Sequence, residues 1–160
     1  MRKRRGILGN QRGLTLVELV VAFTILMTLS AMALPMARFR VRREKERELR
    51  VALVDIRKAV DKYKDMADRN ELGQIKLGTD GYPETLEILV EGVKIPGPQD
   101  KKIKFLRRIP RDPFNKTTDW GKRSTQDDSK SQSWGGQNVF DVYSKTMEKA
   151  PDGTAYSEWD

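Results

Sequence analysis

The chain has no cysteine and no histidine among its 160 residues. Without cysteine there is no disulfide, no thiol nucleophile and no thiolate metal ligand. Without histidine the commonest general base and the commonest metal ligand are both missing. A Ser-His-Asp triad, a histidine-bearing zinc site and an HExxH motif are therefore excluded. No phosphate-binding loop or dinucleotide fingerprint occurs either. Aromatic residues make up only 8%. The three tryptophans are not interleaved with a basic run, as a base-stacking platform would require. Trp120 and Trp159 are expected in a small core, and Trp134 is left unassigned. No catalytic residue is expected, and the chain does not read as an enzyme.

What the chain does have is one long apolar run. Hydrophobic residues are 38% of the total, and many of them fall in residues 14–37, LTLVELVVAFTILMTLSAMALPMA, where Glu18 is the only charge. As a helix this run covers about 36 Å at 1.5 Å per residue, enough for a hydrocarbon core of about 30 Å. A carboxylate in such a segment is costly in lipid and needs a partner. Ahead of it, residues 1–13 carry Arg2, Lys3, Arg4, Arg5 and Arg12 and no acid. Without these five charges the net charge falls from +8 to +3. The high isoelectric point is therefore mainly a property of the leader, and no nucleic-acid partner is expected. A basic flank before an apolar span is the positive-inside signal, which keeps the N-terminus cytoplasmic. An ordinary secretory signal has its cleavage site after the apolar region. Here the break candidate, Gly13, comes before it, so cleavage would remove the leader and keep the span. The plainer alternative is a single-pass anchor with an incidental glutamate.

The run Arg12-Gly13-Leu14-Thr15-Leu16-Val17-Glu18 resembles the class III signal of type IV pilins and type II secretion pseudopilins. The resemblance implies cleavage by prepilin peptidase between Gly13 and Leu14, followed by N-methylation of Leu14. It also implies that Glu18 is the filament-assembly glutamate and that Pro35 is the helix-kinking proline. Physical chemistry agrees with the first pairing. Cleavage would leave an ammonium at Leu14 that could neutralise Glu18 of a neighbouring copy inside an apolar bundle, where either charge alone is expensive.

Beyond the apolar run the pattern stays helical. Residues 38–50 hold seven basic and three acidic residues and neither Gly nor Pro. They read as a solvated helical stretch, with a headgroup contact or an inter-subunit salt-bridge belt as the rival. Leu49, Leu53, Ile56, Val60, Tyr63 and Ala67 then recur at spacings of 4, 3, 4, 3 and 4, an apolar stripe on one helix face. One helix is expected over residues 15–69, with Asn70 and Gly73 as stop signals. A coiled coil is the rival reading of the stripe. A short helix is expected over residues 84–91, with loops around it. Strands are expected at residues 117–120, 139–144 and 154–159, and residues 121–138 read as a flexible polar excursion. Asp127 and Asp128 read as its solvated tip. The whole is an α+β fold: a long N-terminal helix packed on a small three-stranded antiparallel sheet. It divides into a leader (1–13), a transmembrane segment (14–37) and a periplasmic head (38–160).

Residues 105–114, FLRRIPRDPF, form a proline-studded turn carrying Phe105, Leu106, Ile109 and Phe114 as apolar plugs. This stretch resembles the signature of the major, G-type pseudopilin. That resemblance implies a filament subunit in type II protein secretion, anchored in the bacterial inner membrane. Its implied partners are further copies of itself, prepilin peptidase, an inner-membrane platform protein, an assembly ATPase and minor pseudopilins. It also implies a possible Ca2+ site in the C-terminal loop, for which Asp152, Ser157 and Asp160 are the candidate oxygen ligands. Asp152-Gly153 is equally what a bare turn would use. A type IV pilus subunit is the alternative function, and a membrane-anchored periplasmic binding module a more distant one.

Overall fold

The structure is a computed structural model that describes residues 15–97 and 101–159, apart from the side chains of 32–37. Gly13, Leu14 and Asp160 lie outside the described residues, as does the side chain of Pro35. Helix α1 runs Leu16–Asp68. It starts where Thr15 caps it: the Thr15 hydroxyl accepts the Glu18 N–H at 3.2 Å, and the Thr15 carbonyl takes the first helical bond, from Leu19. It stops at Asn70, which adopts φ 57°. There the N–H of Glu71 reaches the Met66 carbonyl and that of Asn70 the Ala67 carbonyl, the paired closure of a Schellman motif.

The chain divides between Arg42 and Arg43 into two compact units. In the first, the apolar part of α1 has no face covered by the rest of the unit. Its large side chains from Leu16 (80% exposed) to Leu29 are all about half exposed or more, and they point around the whole helix. Among the described residues, no helix is long and apolar enough to cross a membrane. The reason is length: residues 16–31 cover only about 24 Å, and the side chains of 32–37, which continue the expected span, lie outside the description. The hydroxyls of Thr24 and Thr28 turn back onto helix carbonyls three and four residues earlier, at 2.6–3.1 Å. Both threonine hydroxyls are thus satisfied within their own helix.

In the second unit the stripe expected from the sequence forms the core. Leu49, Leu53, Ile56, Val60, Tyr63 and Ala67 are all buried, and they pack with Leu86, Leu89, Trp120, Val139, Val142 and Tyr156. Helix α2 (Leu86–Glu91) supplies Leu86 and Leu89. It ends at Gly92, whose φ of 81° and closeness to the Ile103 carbonyl (2.6 Å from an added Cβ) leave no room for a side chain. A two-stranded antiparallel sheet follows, β1 (Val93–Lys94) with β2 (Lys102–Ile103), in a stretch read from sequence as loop. A second pair joins β3 (Gly121–Arg123) to β4 (Asp141–Tyr143) in the register Gly121↔Tyr143, Lys122↔Val142, Arg123↔Asp141. Gly121 is required here because the Tyr143 ring lies on its backbone, 2.2 Å from where a Cβ would sit.

Among the described residues, the three-stranded sheet expected from the sequence is two two-stranded sheets. Residues 117–120 are not a strand because they close the preceding turn: Asp112 N–H bonds the Thr117 carbonyl, and the Trp120 indole bonds the Pro110 carbonyl. Residues 154–159 make one bridge, Lys149↔Ala155, then turn into a 3₁₀ helix at Tyr156–Glu158. The Ser157 and Trp159 carbonyls accept arginine N–H groups there in place of a strand partner. The polar excursion 121–138 begins as strand β3, and its remainder is held by hydrogen bonds. Asn138, fully buried, ties it to the Thr79 carbonyl and to Thr125, and the Trp134 indole bonds the Asn138 carbonyl at 2.7 Å.

Leu53→Ala should lower the unfolding free energy of the head by about 3 kcal/mol, as a buried leucine truncation does. Val51→Ala, on the exposed side of α1, should change it by under about 0.5 kcal/mol. Denaturant unfolding of the full chain in detergent micelles, followed by tryptophan fluorescence, checks both.

Candidate functional site

Glu18 lies in the first turn of α1, exposed, three residues after the Thr15 cap. Thr15-Leu16-Val17-Glu18 is a capping-box sequence, and half of the box is realised in the Thr15 bond. This was legible in the sequence and was passed over in favour of Glu18's charge. A carboxylate here also favours the positive end of the helix dipole. The bond to Thr15 uses the Glu18 backbone N–H, which leaves the carboxylate exposed at the head of an uncovered apolar surface. Helix α1 continues past Pro35.

The FLRRIPRDPF turn is built around a buried acid. Asp112 is 1% exposed. Its carboxylate accepts the Phe114 N–H at 2.8 Å, the Asn115 N–H at 3.4 Å and the Ser144 hydroxyl at 2.5 Å. Ser144 in turn accepts the Thr146 N–H. Phe105, Leu106, Ile109 and Phe114 pack against the core, as read from sequence. Phe114 stacks on Tyr156 at 4.3 Å, and Phe105 lies against Tyr63 at 5.3 Å. The Asp-Pro pair signals a turn, but nothing in the sequence marks Asp112 as the acceptor that joins this turn to Ser144, just past the end of β4.

The C-terminal loop holds the candidate calcium ligands. Asp152 is exposed at a turn and accepts the Thr154 N–H at 2.9 Å, which holds its carboxyl below the usual carboxylate range. Ser157 is buried, and its carbonyl accepts a guanidinium N–H of Arg123 at 3.0 Å. Among the described residues no group of three acidic side chains comes together that could hold a metal ion. The residues described do not fit a calcium site, because Asp152 serves its own turn and the Ser157 carbonyl already faces a cation. Arg57, Arg123 and Asp141, which sequence reasoning passed over, carry the densest polar network of the loop instead. Asp127 is likewise a fastener of residues 124–135. It accepts the Gly135 N–H at 3.0 Å and the Ser124 N–H at 2.7 Å, and these bonds lower its pKa.

A family model described as the prokaryotic N-terminal methylation motif matches residues 8–34. The motif is one that prepilin-type, type IV pilin-like proteins carry, and it covers only the amino-terminal segment here. No curated protein and no solved structure gives a match beside it. The matched segment contains Gly13, Leu14 and Glu18 and ends just before Pro35. It implies processing by prepilin peptidase and filament assembly in general. Prepilin-type proteins are typically anchored in the inner membrane and form periplasmic filaments. An uncovered apolar helix attached to a compact α+β head is compatible with that class.

Asp127 gives a pH prediction. Its folded pKa is depressed, so its contribution to loop order is present above the unfolded value near 3.9. That contribution is lost as pH falls through the lower folded value. Acid titration of Trp134 fluorescence should therefore show loosening of residues 124–138 below about pH 4. Asp127→Asn should weaken the loop at neutral pH and remove that acid step; an unchanged titration would contradict the assignment.

Proposed function

We propose that the chain is a pseudopilin of the type II secretion class, most like the G-type major subunit, that polymerises from the inner membrane into a periplasmic filament. The observation that carries the reading is the methylation motif at the start of a helix whose apolar surface has no cover within its own unit. Burying each such large side chain is worth about 1.5–3 kcal/mol, so this surface needs lipid before assembly and neighbouring copies after it. Cleavage between Gly13 and Leu14 places a new ammonium beside the positive end of the α1 dipole, where it is unfavourable. The Glu18 carboxylate of a neighbouring copy neutralises that ammonium and is itself neutralised. The pairing fixes register, because a slipped neighbour leaves both charges unpaired in an apolar bundle.

The FLRRIPRDPF turn and the absence of cysteine favour secretion over a pilus. The turn resembles the G-type signature, and a buried acid holds it in one shape. A filament subunit of this kind does no chemistry of its own. Its work comes from an assembly ATPase acting through a platform protein.

Glu18→Ala tests the reading. The Thr15 cap survives the change, since it uses the Glu18 backbone N–H. Membrane insertion should stay intact, while sheared filaments fall at least about tenfold, the effect of one lost interaction of about 1.4 kcal/mol or more. Glu18→Asp should recover part of the yield. Filaments from Glu18→Ala at the normal level would remove the proposed charge pairing.

A further inference from the structure

We propose that the C-terminal segment is fastened to the head by the guanidinium groups of Arg57 and Arg123, and that this fastening takes the place of a bound metal ion. Arg57 projects from the buried-stripe part of α1 and Arg123 from β3. They approach Asp141, on β4, from two sides. Arg57 Nε donates to Asp141 Oδ1 at 2.7 Å, and Arg123 Nη1 donates to Asp141 Oδ2 at 3.1 Å. Further N–H groups go to backbone carbonyls. Arg57 Nη2 reaches those of Val142 (3.3 Å) and Trp159 (3.1 Å). Arg123 Nη2 reaches that of Ser157 (3.0 Å), and Arg123 Nε that of Ser131 (2.9 Å). The Arg123 guanidinium also lies over the Tyr143 ring, 4.2 Å from its centre.

The acceptors are one carboxylate and a set of carbonyls converging from β4, the 3₁₀ turn and the chain end. This is the kind of oxygen set that a calcium ion gathers. Here two arginines gather it, and together they bring the formal charge of one divalent cation. A metal ion at the same carbonyls would have to displace N–H donors and sit beside two fixed positive charges. Arg123 is only 5% exposed, so its charge is held where its partners are strongest and where it depends on all of them being present. Arginine is the side chain suited to the role. Its planar fork offers five donors and stays charged, whereas lysine offers a single point of attachment. Arg50 over the Trp159 ring at 4.4 Å adds a further positive contact to the same segment.

The test uses the full chain in detergent micelles, with thermal unfolding and limited trypsin cleavage after Lys145 and Lys149 as paired readouts. For the unaltered chain, excess chelator and millimolar calcium should leave both the unfolding midpoint and the cleavage rate unchanged. Terbium should show no luminescence sensitised by Trp159. Arg123→Lys should lower the midpoint by about 10 °C or more and speed cleavage at those lysines at least about tenfold, with calcium giving no rescue. Should Arg123→Lys fail to fold, Arg57→Lys, whose side chain is partly exposed, should still fold and show the faster cleavage. A fall in midpoint with chelator, a rise with calcium, or an Arg57→Lys chain cleaved at the normal rate would overturn the proposal.

Discussion

One helix has to satisfy two environments, and the rest of the structure follows from that constraint. Toward Asp68, α1 shows the repeat of a helix with one buried face: Leu49, Leu53, Ile56, Val60, Tyr63 and Ala67 vanish into the core. Toward Leu16 it is apolar all round and nothing in its own unit covers it. That part is finished only by something outside the chain. A helix hydrophobic on every face belongs in a membrane or at the centre of an assembly, and the methylation motif at its start agrees with both.

The head is held by polar side chains more than by sheet. With two strand pairs of two and three residues each, the ladders cannot fix the loops that make up most of the chain beyond residue 70. Individual polar groups do so instead. Asp112 joins the proline turn to the end of β4, Asn138 ties two loops together, and the half-buried Asp141 receives two arginines. Asp112 and Asn138 are removed from water, so their partners must all be present and each favours one arrangement strongly over its neighbours.

Local periodicity was the part of this fold legible in the sequence. The stripe on α1, its stop at Asn70 and a short helix near residue 86 are local patterns, and each appears within two residues of its expected place. The amino-terminal motif was legible for a similar reason, since residues 12–18 form one short run and the methylation-motif model covers it. The strands were not. Residues 117–120 and 154–159 have strand-like composition, but the first is spent closing the Asp112 turn and the second is bent by Arg57 and Arg123. The turn contacts span 5 and 10 residues and the arginine contacts 34 and 102, and no residue pattern announces either set. Residues 121–138 looked flexible because they are polar. They are ordered because their polar groups, Asp127 and Asn138 above all, are turned inward onto backbone.

The account depends on where the working chain begins. Glu18 has its proposed counter-charge only if the basic leader is gone and Leu14 carries a free terminus. Intact-mass and amino-terminal fragment measurements on the polypeptide extracted from native membranes decide this most directly. The account predicts a chain that starts at a methylated Leu14. A chain that still carries Arg2 to Arg5 would contradict it.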